Sequence, residues 1–402
     1  MDLFKKAKNF NLVKEAKAAG LYPYFHSLES GQDTIVQMHG KRTIMIGSNN
    51  YLGLTNHPDV IQAGIDTLKK YGSGCSGSRF LNGTLDIHLK LEKELATFLN
   101  KESCITFSTG FQTNLGIISA IAGRHDYIIS DKENHASIYD ACRLSYAKLL
   151  RYNHNDMQQL EERLQSVPDN SGKLIVTDGV FSMGGDLCNL PEIVKLAKKY
   201  NARVMVDDAH GFGVIGKGGR GTASHFNLED EVDIIMGTFS KSLASLGGYM
   251  VASEEVTEYI KHTSRPFIFS ASIAPASVAC ARAALKVLKN EPERVTNLQE
   301  ITDYVRRGLT KRGIDIGKSY APIIPINTYD DTRTFVICKV LLENGVYVNP
   351  VISPAVPAGQ AILRTSYTAT HTKEQMDEAM DIIQKSISQA DEIVSQMQTD
   401  EA

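Results

Sequence analysis

The sequence predicts an α/β protein whose large domain is built on a mostly parallel central sheet and is followed by a smaller C-terminal α+β domain. The first observation is that short β-rich runs alternate with helical patterns from about residue 57: SCITFST, YIISD, KLIVTDG, ARVMVDD, VDIIMGT and GGYMVAS. Apolar strands that alternate with helices are typical of a sheet covered on both faces, which is mostly parallel. The second observation is that this rhythm ends near residue 275, where the helical pattern ASVACARAALKVL begins.

The elements divide the chain into three predicted units, residues 1–56, 57–285 and 286–402. The first is a helical arm and a short hairpin, because two apolar stretches flank the turn signal His39-Gly40-Lys41. The second is the large domain, which holds the helical patterns VIQAGIDTLKKY and LEKELATFL and the six runs above. The third has strands near PIIPINTY and YVNPVI. Its final helix places five apolar residues on one side, which we expect to face the core: Met376, Met380, Ile383, Ile387 and Ile393.

Composition excludes several classes of function. The 402 residues carry a formal net charge of −3 without a long basic run, so we expect no nucleic-acid partner. The six cysteines are widely spaced and none forms a CxxC pair, so we predict no metal site and a reducing, cytoplasmic environment. No stretch has the pattern of a signal peptide or a transmembrane segment.

Polar residues follow several predicted strands directly. Asp207 and His210 follow ARVMV, and Thr238, Ser240 and Lys241 follow VDIIM. Ligands of parallel α/β sheets bind beyond the carboxyl ends of the strands. Hydroxyls beside a helix start suit a phosphate, a lysine can form a Schiff base, a carboxylate can pair with a protonated ring nitrogen, and a histidine can bind a ring oxygen. These groups together predict a site for pyridoxal 5′-phosphate (PLP).

Four motifs carry a more specific resemblance: SNNYLGLTNHP, ENHASIYDA, DDAHGFGVIGKGGRG and GTFSKSLASLGGY. In combination they resemble the α-oxoamine synthases, and the similarity runs from about Tyr22 to about Thr372. The resemblance implies a fold-type-I PLP-dependent transferase that condenses an amino acid with an acyl-CoA and releases CO₂. The segment YGSGCSGSRFLNGTLDIHLKLEKELA is most similar to the members that join L-serine to palmitoyl-CoA and form 3-oxosphinganine. Asp208 departs from the glutamate that is frequent in the family, but it is not the residue expected on the ring nitrogen.

The resemblance also implies roles for individual residues. Lys241 is the Schiff-base lysine and moves the α-proton, Asp207 pairs with the pyridinium nitrogen and His210 with the ring oxygen. His135 stacks on the ring, although its position also suits a helix cap. The residues expected nearest the phosphate and ring are Gly110, Phe111, Thr238, Ser240 and Ser182.

The remaining implied residues concern the substrate and a partner subunit. Arg364 is expected to hold the substrate carboxylate, as a planar guanidinium can, and Asn50 is a second candidate. Ser272, in the segment SAS, resembles a residue that reaches the phosphate of the other subunit, so a homodimer with shared active sites is implied. Arg79 receives no role.

Alternatives within the family differ in substrates: glycine with acetyl-CoA, glycine with succinyl-CoA, or alanine with pimeloyl-CoA. A catalytically silent partner subunit is an alternative of another class, and the joint presence of Lys241, Asp207, His210 and Arg364 argues against it. A nucleotide-binding α/β protein is weaker still, because neither GxxxxGK[ST] nor a strand-linked GxGxxG is present.

Overall fold

The computed structural model describes residues 2–400, and this part of the chain folds into thirteen strands and fifteen α-helices. The strands are β1 (Ile35–Met38), β2 (Lys41–Met45), β3 (Ser103–Phe107), β4 (Tyr127–Asp131), β5 (Lys148–Tyr152), β6 (Lys173–Asp178), β7 (Arg203–Asp207), β8 (Ile234–Thr238), β9 (Gly248–Ala252), β10 (Ile323–Tyr329), β11 (Val346–Tyr347), β12 (Asn349–Val351) and β13 (Ala361–Ser366). The helices are α1 (Lys5–Lys8), α2 (Leu12–Ala18), α3 (Pro58–Tyr71), α4 (Asp86–Phe98), α5 (Gly110–Ile121), α6 (Ala136–Ser145), α7 (Met157–Gln165), α8 (Leu190–Lys199), α9 (Thr222–His225), α10 (Glu254–Thr263), α11 (Arg265–Ile268), α12 (Pro275–Asn290), α13 (Glu293–Lys311), α14 (Asp331–Glu343) and α15 (Lys373–Asp400).

The central sheet has seven strands in the order β3-β9-β8-β7-β6-β4-β5. Only β9 runs antiparallel to its neighbours, and the other pairs are parallel. All six predicted runs are strands of this sheet, so the predicted mostly parallel sheet is confirmed. The sequence analysis missed β5, an edge strand whose Lys148 and Arg151 are exposed and break the apolar pattern.

Both faces of the central sheet are buried, because successive residues of each strand enter different cores. In β7, Val204 and Val206 belong to one apolar cluster, whereas Met205 belongs to another on the opposite face. All six residues of β6 are buried, including its terminal Asp178. A sheet covered on both sides leaves its strand ends as the place where polar side chains can gather.

The N-terminal hairpin is confirmed and is extended by a distant strand. β1 and β2 pair antiparallel around His39 and Gly40, and β11 adds to β2 in parallel. Ile44 and Ile46 consequently pack in the same core as Ile324 of β10. The three-unit division of the chain stays a prediction.

The C-terminal part contains a second sheet of three antiparallel strands, β10-β13-β12, which carries Arg364 in its central strand. The predicted strand in YVNPVI is split, because β11 pairs with β2 whereas β12 pairs with β13. The apolar side of α15 faces the core as expected: Met376, Met380 and Ile383 are buried there, and Ile387 and Ile393 pack against them. Among the described residues, no helix has the length and apolar character needed to cross a bilayer.

Candidate active site

The carboxyl ends of three neighbouring strands meet at a cavity. Asp178, Asp207 and Thr238 are the last residues of β6, β7 and β8. The cavity beyond them has a volume of about 280 Å³, near the lower end of the ~300–1,000 Å³ typical of small-molecule sites. Eight of the predicted site residues line it: Gly110, Phe111, His135, Asp207, His210, Thr238, Ser240 and Lys241. The fold thus brings together residues as far apart in the chain as Gly110 and Lys241.

Lys241 lies in the turn between β8 and β9 with its side chain at the cavity. Burial lowers the pKa of its ammonium from 10.5 to about 8, although Asp207 and Asp178 oppose this change. Arg364 lowers the pKa further by repulsion. A substantial neutral fraction of this amine therefore exists near neutral pH, and a neutral amine is the form that attacks a carbonyl group.

Asp207 is buried and oriented by two donors. Its Oδ2 accepts a hydrogen bond from Asn114 Nδ2 at 2.7 Å, and its Oδ1 accepts one from the backbone N–H of Ala209 at 3.0 Å. Asp178 lies beside it in the β6–β7 register. Burial and the charge of Asp207 raise the pKa of Asp178 well above its ordinary value. The strand ends thus present one carboxylate held by two donors and a second carboxyl group whose pKa is raised.

His135 occupies the start of α6, where both of its expected roles are compatible. Its Nδ1 accepts a hydrogen bond from the backbone N–H of Ser137, so the helix cap exists. The hydroxyl of Ser137 lies 2.7 Å from the same nitrogen and accepts from Asn114 Nδ2 at 2.8 Å. Burial lowers the pKa of His135, and this effect, helped by Lys241, outweighs the opposing charge of Asp207, so the neutral form of the ring is favoured. Its role as the stacking histidine stays a prediction.

His210 is buried and neutral, because burial and the neighbouring cations hold its pKa well below the ordinary value. Its Nδ1 lies 2.7 Å from the hydroxyl of Tyr51, which is fully buried. Asn49 Oδ1 is a second acceptor for the same O–H, at the longer distance of 3.2 Å. When the tyrosine donates to His210, the proton of the imidazole is placed on Nε2, from which it can be donated to a ligand.

The far end of the cavity is formed by the start of α5. Backbone N–H groups at a helix start attract anions. A Cβ atom on Gly110 would lie 2.8 Å from Cβ of Thr238, so a larger residue would crowd this end. The hydroxyl of Thr238 donates to the carbonyl of Gly247 at 3.0 Å and lies 2.9 Å from that of Ser240. This end therefore offers N–H and hydroxyl groups around a small opening.

Arg364, Ser182 and Asn50 do not line this cavity. Arg364 Nε donates to the carbonyl of Ser182 at 2.6 Å, and Nη2 donates to Asn49 Oδ1 at 3.0 Å. Asn50 borders an adjoining cavity that Lys241 and Ser240 also line. Its amide bonds the hydroxyl of Thr55 and the N–H of Leu54, so it also shapes its own turn.

Ser272 lies at another depression, together with Arg79. Its hydroxyl is buried and finds no hydrogen-bond partner among residues 2–400. Arg79 donates hydrogen bonds to both carboxylate oxygens of Glu92 and to the hydroxyl of Thr106. These bonds explain Arg79 as a residue that stabilises the local structure.

Asp208 faces away from the cavity. Its carboxylate accepts hydrogen bonds from the N–H and the hydroxyl of Thr222, at 2.8 and 2.6 Å. Gly211 and Gly221 pack against it so closely that a Cβ atom on Gly221 would lie 1.8 Å from Oδ2. An aspartate fits this crowded position better than the longer glutamate that is frequent in the family.

Comparison with known proteins agrees with this geometry. The sequence model of the family "Aminotransferase class I and II" matches residues 41–383. A serine palmitoyltransferase of Sphingobacterium spiritivorum is 53% identical over 389 residues, which cover 97% of this chain and 98% of the relative. A solved structure of serine palmitoyltransferase with a PLP internal aldimine has a TM-score of 0.94 at 37% identity and covers 97% of this chain and 99% of that chain. The chain belongs to the class I and II aminotransferases and, within them, to the α-oxoamine synthases.

The expected fold-type-I architecture of this synthase is thereby confirmed. Other members are also similar: an 8-amino-7-oxononanoate synthase of Thermoanaerobacter pseudethanolicus is 43% identical over 374 residues, which cover 93% of this chain and 95% of that protein. Two residues that contact the predicted site residues were not predicted from the sequence. Asn114 bonds Asp207, and Tyr51 bonds His210. Asn114 lies four positions after Gly110 on α5, so helical spacing was the signal that could have found it.

Proposed function

We propose that this chain condenses L-serine with palmitoyl-CoA to give 3-oxosphinganine, CoA and CO₂. The observation that carries the proposal is the 53% identity to a serine palmitoyltransferase over nearly the whole of both chains. The cavity supports the same chemistry, because a lysine with a lowered pKa faces a buried carboxylate at the strand ends.

The residues around the cavity fit PLP as the cofactor. Asp207 would hold the pyridinium nitrogen, His210 the ring oxygen and His135 the ring face. The phosphate would lie at the start of α5, against the N–H groups of Gly110 and Phe111 and the hydroxyls of Thr238 and Ser240. The absence of a side chain on Gly110 supports this placement, since a Cβ atom would fill the space beside Thr238.

Each side chain then has a chemical task. When bound, PLP withdraws electrons from Cα of an amino acid and so stabilises the negative charge that forms there. Lys241 would bond the cofactor and, once released, take the α-proton and later return it, which a pKa of about 8 permits near neutral pH. Asp207 would face the ring nitrogen of the cofactor, and its two donors hold the carboxylate in place.

Arg364 would bind the carboxylate of L-serine. Its Nε and Nη2 are already held by Ser182 and Asn49, so the guanidinium is fixed in orientation. Fixing a donor before the substrate arrives reduces the entropic cost of binding. Asn50 would complete the amino-acid side of the site.

We further propose a homodimer with shared active sites in the cytoplasm. Large apolar side chains near Ser272 support the dimer, since Leu81 and Phe269 are 76% and 75% exposed in the single chain. Leu246, at the cavity, is also exposed. A second copy would cover these residues and bring its own Ser272 towards the phosphate. The six unpaired cysteines suit a reducing compartment.

The test is release of CoA from a matrix of amino acids and acyl donors. We expect rapid release only with L-serine and palmitoyl-CoA, whereas acetyl-CoA and pimeloyl-CoA should be poor donors. Lys241→Ala is the control, since loss of this amine should lower the rate by roughly a thousandfold or more. Equal rates in the wild type and in Lys241→Ala would favour the silent-subunit alternative.

A second candidate is the condensation of alanine with pimeloyl-CoA. The observation in its favour is the 43% identity to an 8-amino-7-oxononanoate synthase. The same matrix separates the two, because only this candidate predicts release from pimeloyl-CoA with L-alanine. The assigned tasks of Lys241, Asp207 and His210 would be unchanged.

A further inference from the structure

His154 lies outside the cavity, between two carboxylates that come from different elements. Its Nδ1 is 3.1 Å from Asp131 Oδ1, at the end of β4, and its Nε2 is 2.7 Å from Asp186 Oδ2. The edge of its ring contacts Phe181, with 4.3 Å between the ring centroids. The imidazole therefore joins the end of the central sheet to the turn formed by residues 180–187.

The same turn holds Arg364. The carbonyl of Ser182 accepts the bond from Arg364 Nε, and the carbonyl of Gly185 accepts bonds from the N–H groups of Tyr320 and Ala321. Gly185 has a φ of +70°, and a Cβ atom there would lie 2.5 Å from the carbonyl oxygen of Ile323. The turn thus fits closely between the central sheet and the smaller sheet, and a shift of the turn would move the carbonyl that orients Arg364.

Charge makes the attachment of His154 strong. Partial burial opposes the charged form, but the hydrogen bonds and charges of Asp131 and Asp186 outweigh it and raise the pKa of His154 to about 10. Glu133 adds a third carboxylate 3.9 Å from Nδ1. At neutral pH both ring nitrogens carry protons and donate to carboxylates, which makes two charge-assisted hydrogen bonds.

We propose that His154 is a positioning residue for the amino-acid substrate: through Asp186 and the 180–187 turn it fixes the carbonyl of Ser182, which in turn orients the guanidinium of Arg364. The inference rests on the proposed function, since it assigns Arg364 to the carboxylate of the amino acid. It predicts that a change at His154 weakens binding of the amino acid but leaves binding of the cofactor and of the acyl donor unchanged.

The first experiment compares L-serine binding to the PLP-loaded enzyme, measured by absorbance titration, in the wild type and in His154→Gln. Glutamine carries no charge and cannot reproduce the two charge-assisted bonds, and this loss should weaken L-serine binding about tenfold. The affinity for PLP and the KM for palmitoyl-CoA should stay within about twofold of the wild type. His262→Gln is the matched control, because His262 also lies near a carboxylate, 3.8 Å from Glu258, but on the exposed side of α10.

The second experiment is a pH profile that a merely structural role would not move. In Asp186→Asn the pKa of His154 should fall towards its ordinary value, because one of its two carboxylates is neutral. Relative to the wild type, this variant should then lose L-serine affinity as the pH rises from about 6 to 9, where His154 loses its proton. NMR titration of the labelled histidine ring reports the pKa itself and needs no substrate.

The outcomes are distinguishable. Unchanged L-serine affinity in His154→Gln, or equal losses for L-serine, PLP and palmitoyl-CoA, would overturn the inference. A His154 ring that titrates near pH 6.5 in the wild type would overturn it as well. If the wild type responds to L-alanine or glycine instead of L-serine, only the substrate assignment fails, and the variants are titrated with that amino acid. If no amino acid binds, both the proposed function and the inference fail.

Discussion

Lys241 differs from a surface lysine because burial lowers the pKa of its side chain. It lines a cavity together with Asp178 and Asp207, and burial lowers its pKa more than the attraction of the two carboxylates raises it. Its pKa of about 8 follows from this balance, to which repulsion by Arg364 also contributes. The same burial keeps His210 neutral, so the site combines a reactive amine with a neutral imidazole.

The first prediction concerns the pH dependence of cofactor attachment. The rate at which the cofactor-free protein bonds PLP should rise with pH and level off above about 8, because the pKa of Lys241 is lowered and the neutral amine accumulates above it. Stopped-flow absorbance at a series of pH values measures this rate. A rate that keeps rising towards pH 10.5, the ordinary lysine value, would contradict the lowered pKa.

The second prediction concerns Tyr51. Tyr51→Phe removes the hydroxyl that lies 2.7 Å from Nδ1 of the buried His210. A buried nitrogen without a partner destabilises its site by about 1–3 kcal/mol, and if the loaded enzyme bears this cost in orienting His210, kcat/KM should fall by roughly fivefold to a hundredfold. Tyr152→Phe is the matched control, since the hydroxyl of Tyr152 is buried without a partner among residues 2–400. Equal activity of the two variants would show that Tyr51 does not orient His210.

Helix α5 is the element that contributes most to the site. Its first residue, Gly110, borders the proposed phosphate position, and Asn114 one turn later bonds both Asp207 and Ser137. The two residues share a face because they are four positions apart. One helix thus sets the two ends of the cofactor site, and a shift of its start would affect both.

The third prediction tests this helix start. A Cβ atom in Gly110→Ala would lie 2.8 Å from Thr238 Cβ, so Thr238 must move and the proposed phosphate position narrows. We expect PLP affinity to fall by about tenfold or more. Gly123→Ala, just beyond the same helix, is the control, because its nearest contact would be an ordinary 3.7 Å from Asp126. Fluorescence titration of the cofactor-free proteins measures both affinities, and equal values would contradict the phosphate assignment.

At the scale of the whole molecule, the central sheet supplies Asp207 and Thr238 to the cavity. The smaller sheet carries Arg364, the residue proposed for the substrate carboxylate, in its middle strand. The 180–187 turn and Asn49 connect the two parts by bonding the same guanidinium. The proposed dimer would add a third part, covering the apolar residues near Ser272.

The fourth prediction concerns that dimer. In analytical ultracentrifugation the protein should sediment with twice the mass of one chain. Phe269→Asp places a charge on a side chain that is 75% exposed in the single chain. If a second copy covers Phe269, burying this charge should dissociate the dimer and abolish most of the activity. A fully active monomer would contradict the shared active site.

The sequence predicted most of the fold because the strands of the central sheet are short, apolar and followed by polar residues. Lys241, Asp207 and Thr238 could be placed together from that pattern alone, since parallel strands bring their carboxyl ends to one edge. Asn114 could have been found from its helical spacing to Gly110. Tyr51 could not, because its contact with His210 depends on packing between elements far apart in the chain. His154 and Asp186, 32 positions apart, are of the same kind. The edge strand β5 was not predicted, because its exposed charged side chains interrupt the apolar pattern.

The most direct test of the central claim is mass spectrometry of the products that the purified, PLP-loaded protein forms from L-serine and palmitoyl-CoA. The account predicts 3-oxosphinganine in equal amount to the CoA released, with neither formed by Lys241→Ala. When the loaded enzyme is reduced with borohydride and digested, the cofactor should be found on the peptide that contains Lys241. Absence of the product, or a cofactor bonded to another lysine, would contradict the account.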